Sequence, residues 1–65
     1  MLKNKLKEIR MKEYMMSATE FANLLSVTIT VYSGWETNTS RPKLERAFEI
    51  AKKLNKKVDD IWFYE

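Results

Sequence analysis

Thr30, Ser33, Gly34 and Thr37 lie within eight residues of one another. At about 100° per residue they fall on one side of a helix, with Ile29 at its leading edge and Tyr32 and Trp35 on the opposite side. The aromatics are suited to a core, whereas the other side is small, neutral and mostly hydroxylated. Hydroxyls donate and accept hydrogen bonds, and Ile29 adds an apolar contact. This is the chemistry of recognition. Bond-making chemistry has little to draw on: the chain has no His and no Cys. That removes the commonest general base, the commonest metal ligand, the thiolate nucleophile and any disulfide. There is no Gly-rich phosphate loop, and the carboxylates are scattered among basic neighbours. No catalytic residue, metal, cofactor or small-molecule ligand is therefore expected.

The elements that must hold this surface follow from spacing. Leu2, Leu6 and Ile9 predict an amphipathic helix from about Lys3 to Glu13. Ser17 and Glu20 form the S-x-x-E signature of a capping box at the start of a second helix, whose buried face is Phe21, Ala22, Leu24 and Leu25. Ser26-Val27 breaks that helix, and Thr28 caps a third that runs to about Glu36. The polar loop TNTSRP brings Pro42 into the first turn of a fourth helix, with Leu44, Ala47, Phe48, Ala51 and Leu54 as its buried stripe and Asn55 as a left-handed cap. Val58, Ile61 and Trp62 predict a short last helix folding back on the core.

Two readings of the tail IWFYE stand side by side. Either it supplies dimer contacts, or Trp62 closes the core while Phe63 and Tyr64 fray. With 45% hydrophobic residues but one Gly and one Pro, the chain reads as an all-α, compact five-helix domain over residues 1–65. The longest purely apolar run, Ile61–Tyr64, is far too short to span a membrane, and the amino terminus lacks a signal-peptide core. A cytoplasmic protein without a membrane partner is expected.

Two short helices joined by a tight turn, the second capped by Thr, have the layout of a DNA-reading helix-turn-helix. On that reading Ile29, Thr30, Ser33 and Gly34 face base edges, where Ile29 can touch a thymine methyl and Gly34 leaves room for close approach. Charge patterning agrees. The stretch SATEFANLLSVTITVYSGWE holds none of the chain's 12 Lys and Arg, which cluster on either side of it. Phosphate contacts supply most affinity and base contacts the discrimination, so a neutral reading helix suffices if its flanks grip the backbone. Arg41, Lys43 and Arg46 stand in place for that grip, joined by Ser17, Thr28 and Thr37 at helix ends.

The residues SATEFANLLSVTITVYSGWETNTSRP resemble the helix-turn-helix of the Cro/phage-repressor (XRE-like) transcriptional regulators. Ser17, Glu20, Phe21, Ala22, Leu25, Val27, Thr28, Tyr32, Ser33, Trp35, Glu36 and Pro42 fill the family's pattern without gaps. The resemblance continues through LERAFEIAKKLNKKVDDIW. It departs at Ala18, Ile29 and Thr30, where polar residues are usual, and at Ser26 and Asn38, where glycines are. It implies a lambda-repressor-like fold and an ion pair between Arg10 and Glu36 that locks the reading helix to the first. It further implies a small repressor or Cro-like protein binding an operator in double-stranded DNA as a homodimer. The alternative keeps the fold and drops the DNA: a protein-interaction module, antitoxin-like or anti-repressor.

Overall fold

A computed structural model describes residues 1–65. Five helices carry the fold: α1 (Leu6–Ile9), which runs on into a π-helical turn (Arg10–Tyr14), α2 (Ala18–Leu24), α3 (Ile29–Glu36), α4 (Leu44–Lys53) and α5 (Val58–Ile61). A small antiparallel ribbon joins the two ends of the chain. Its strands are β1 (Leu2–Asn4) and β2 (Trp62–Tyr64), with Lys3 opposite Phe63.

This ribbon corrects the expected first helix. Residues 2–4 pair with the tail, and the Lys5 amide donates to the Ile61 carbonyl at 2.8 Å, so helix begins only at Leu6. Asn4 marks the switch: its Oδ1 accepts from the Leu6 amide at 3.1 Å, while its Nδ2 donates to the Trp35 carbonyl at 2.8 Å. Phe63 and Tyr64 are likewise strand rather than frayed ends, and Trp62 is buried in the core. Pro42 lies just outside α4, whose cap is Lys43.

The helix ends obey their caps. Ser17 Oγ accepts from the Glu20 amide at 3.1 Å, and Glu20 returns a carboxylate to the Ser17 amide at 2.8 Å, completing the capping box. Helices α2, α3 and α4 all end in Schellman motifs, with Ser26, Asn38 and Asn55 at the left-handed position (φ 62°, 66° and 58°). Asn suits that conformation, whereas Ser and the fourth such residue, Met15 (φ 51°), bear its steric cost.

All 13 buried residues are apolar and form one cluster drawn from every helix and from Trp62. An edge-to-face series, Tyr14 on Phe21 and Phe21 on Tyr32, stacks the π-helical turn, α2 and α3. The buried stripe of α4 is Ala47, Ile50, Ala51 and Leu54. Phe48, expected in the core, is 59% exposed, and Leu44 is 74% exposed. The reason is angular: Phe48 follows Ala47 by one residue, about 100° round the helix and off the stripe.

Candidate nucleic-acid interface

Helix α3 is held by its inner side. Tyr32 is fully buried and Trp35 nearly so, and Arg10, Glu36 and Tyr32 meet beneath it. Arg10 Nε donates to Glu36 Oε2 at 2.8 Å, Nη2 reaches Oε1 at 3.5 Å, and Nη1 donates to the Met16 carbonyl at 2.9 Å. The Tyr32 hydroxyl donates to the same Oε2. Both ionic side chains are only 13% exposed. The Arg10 carbonyl also accepts from Met15 and Met16, so the widened π-helical turn closes around this residue.

The electrostatics follow from burial and contacts. Burial raises the Tyr32 hydroxyl far above its ordinary value, and the Glu36 carboxylate beside it adds to the shift. Burial also pushes Glu36 up, but hydrogen bonds from Arg10 and Tyr32 and the charges of Arg10 and Lys7 outweigh it, holding the carboxyl below its usual range. Arg10 is raised by its bond to Glu36. The charge pair is thus fixed, and α3 cannot roll on α1 without breaking it. Tyr32 and the Met16 carbonyl were missing from the sequence-derived pair. The i,i+4 spacing of Tyr32 and Glu36 was the available signal.

On the outer side, Ile29, Thr30, Val31 and Ser33 are all exposed. The Thr30 and Ser33 hydroxyls have no hydrogen-bond partner within the chain, although hydroxyls in helices often bond back to their own carbonyls. Both therefore keep a free donor and free lone pairs. Thr28 Oγ1 accepts from the Val31 amide at 3.2 Å, and Ser17 Oγ accepts from Glu20, so each retains its proton for an outside acceptor. Val31, 43% exposed, is an apolar neighbour that periodicity did not single out.

Three expected site residues have other work. Thr37 turns its hydroxyl back on the Ser33 carbonyl (2.9 Å) and pairs with Thr39 (2.9 Å), so its proton is committed within the helix end. Arg46 Nη2 donates to the Leu25 and Ser26 carbonyls at 2.7 and 3.2 Å, bracing the turn between α2 and α3 against α4. Gly34 faces its own chain: a Cβ there would stand 2.7 Å from Ser40 Oγ, and its carbonyl accepts from the Thr39 and Ser40 amides. Arg41 and Lys43, in contrast, are exposed and make no ion pair. They precede the first turn of α4, which no side chain caps.

A comparison with protein families matches residues 6–61 to a helix-turn-helix family, HTH_3. With most of its length covered, the chain belongs to this family, the XRE type of DNA-binding regulators that includes the Cro- and repressor-like proteins. No curated protein matches it. Helices α2 and α3 are the helix-turn-helix pair, and double-stranded DNA is the partner the family binds. No helix is long and apolar enough to cross a membrane.

Proposed function

We propose that the chain is a sequence-specific transcriptional repressor of the Cro-like kind, one cytoplasmic domain over residues 1–65 that occupies a two-fold operator as a homodimer. The observation that carries this reading is the pair of free hydroxyls, Thr30 and Ser33, on the exposed face of a helix whose other face is locked into the core. Thr30 and Ser33 read base edges, and Ile29 (40% exposed) packs on a thymine methyl. Gly34 gives room to Ser40 of its own chain and takes no part in the contact. One helix covers too few base pairs for useful selectivity, hence the dimer.

Phosphates are gripped on either side. Ser17 and Thr28 donate from the starts of α2 and α3. Arg41 and Lys43 do so at the start of α4, where uncapped amides and the helix dipole favour an anion. Arg46 acts through the turn it braces, and Thr37 by holding the end of α3 in shape. Occupation of the operator excludes polymerase.

Ile29 and Val31 also make an apolar edge that suits a protein partner, as in an antitoxin-like or anti-repressor module. Selection from a random duplex library separates the two readings. Enrichment of a palindrome, with affinity falling steeply as salt rises, is the expected result. Retention of no common sequence would favour the protein partner.

A further inference from the structure

We infer that Asn4 and Asn38 are positioning residues for base reading: they tie the β1–β2 ribbon to the end of α3 and so set the tilt at which that helix meets DNA. This deepens the function proposed above and rests on it. Asn4 Nδ2 donates to the Trp35 carbonyl at 2.8 Å, in the last turn of α3, where carbonyls have no partner further along the helix. Asn38, just past that end, donates its main-chain amide to the same carbonyl at 3.1 Å and its side-chain Nδ2 to the Leu2 carbonyl at 2.6 Å. The two side chains therefore cross between β1 and α3 in opposite directions, and both are half-buried. Glycine would meet the positive φ of Asn38 (66°) as easily, so the turn alone does not call for this side chain. What the side-chain amide adds is the bond to Leu2.

The ribbon is a firm point to tie to. Trp62 of β2 is buried in the core, and the Lys5 amide donates to the Ile61 carbonyl at 2.8 Å where β1 gives way to α1. The Arg10–Glu36–Tyr32 cluster lies on the inner side of α3 and fixes its roll, but one directional anchor leaves a helix free to swing about it. A second anchor at the Trp35 carbonyl and Asn38 removes that swing. Leverage makes the difference matter. Thr30 precedes Trp35 by five residues. That is about 7.5 Å along the axis, so a tilt of roughly 10° about Trp35 carries Thr30 ~1.3 Å. A displacement of that size is enough to break a hydrogen bond of about 2.9 Å. Neither asparagine needs to touch DNA for this. Charge contacts from the exposed Arg41 and Lys43 to phosphates act over longer range and tolerate such a shift.

Two uncharged substitutions cut the tie from opposite ends. Asn38→Gly keeps the left-handed turn and removes the donor to Leu2. Asn4→Ser keeps an acceptor for the Leu6 amide but is too short to reach the Trp35 carbonyl. In each variant the amide NMR signals of Thr30, Val31 and Ser33 are expected to move, although neither substitution touches them. Operator affinity should fall by at least about fivefold, as for a weakened base contact, while random duplex is bound as before. The two changes together should lose little more than the worse one alone, because either opens the same tie. If one variant fails to fold, the other decides. Signals at the start of α3 that stay in place, an unchanged operator preference in a folded variant, equal losses on both duplexes, or failure of both variants to fold would each overturn the proposal. If the unmodified chain selects no DNA sequence, the function proposed above falls, and the NMR shifts alone then decide whether the tie orients α3.

Discussion

Helices α3 and α4 each bury one side and leave the other bare, yet what they leave bare differs in kind. The outer side of α3 is small and neutral, with free hydroxyls at Thr30 and Ser33. That of α4 carries Leu44 and Phe48 between charges of both signs. Their attachments differ too. The buried Arg10–Glu36–Tyr32 cluster fixes α3 at a set rotation, whereas α4 packs by Ala47, Ala51, Ile50 and Leu54 and is tied by Arg46 to the turn between α2 and α3. A surface read at hydrogen-bond distance needs such angular fixing, and an apolar contact tolerates more. The difference separates a surface suited to hydrogen-bonded reading on α3 from an apolar one on α4.

The sharpest way to break this contrast is to empty one aromatic site on each helix. Trp35→Ala should cost ~3–5 kcal/mol, a large share of what a small domain possesses, and leave little helicity. Phe48→Ala, on the exposed side, should shift the stability of the monomer by no more than about 0.5 kcal/mol. Thermal melts at low concentration distinguish them. Equal losses would mean that α4 has no free face.

That contrast was only half legible in the sequence. On α3, period and residue size agreed, because bulky Tyr32 and Trp35 sit opposite small residues. On α4 the two conflicted. Leu44, Ala47, Phe48, Ala51 and Leu54 also make a helical stripe, so spacing alone turned the predicted face toward Phe48, whereas the folded chain buries Ile50. The ribbon escaped notice because β1 and β2 have three residues each and pair across the whole chain, so no local pattern encodes them. Caps were readable because Ser17, Thr28 and Asn55 act on neighbours within a few residues. The roles of Arg46 and Thr37 were not, since only the folded chain brings Arg46 to the Leu25 carbonyl or turns the Thr37 hydroxyl inward.

The lock beneath α3 makes the next largest prediction. Arg10→Ala leaves the Glu36 carboxylate nearly buried without its cation and should cost about 3 kcal/mol. Glu36 is held below its usual range when folded, so its contribution is present above the ordinary carboxylate value, about 4.3, and is lost as pH falls through the folded value. The stability gap between the unmodified chain and Glu36→Gln should therefore be full near neutrality and close in acid. A gap that widened below pH 4 would contradict the arrangement.

Gly34 gives a smaller test with the opposite sign. Helix propensity favours Ala over Gly by up to about 1 kcal/mol, and the one atom in the way, Ser40 Oγ, can rotate aside because it holds no hydrogen bond. Gly34→Ala should then be neutral or slightly stabilising in a melt. Operator binding should be unchanged, because the added methyl faces Ser40 of the same chain; a folded variant with weaker operator binding would place Gly34 at the duplex.

If the exposed side of α3 reads bases and bears no structural load, Thr30→Ala should alter DNA binding and leave folding alone. Its melting temperature should match that of the unmodified chain, since an exposed hydroxyl without internal partners contributes little to stability. Binding to the selected operator should weaken by roughly 1–3 kcal/mol while binding to random duplex stays the same. Arg41→Ala provides the contrast in the same titration: both duplexes should lose affinity together, and the slope of log affinity against log salt should fall by about 0.9. An intact Thr30→Ala protein that discriminates operator from random DNA as well as before would mean that Thr30 reads no base.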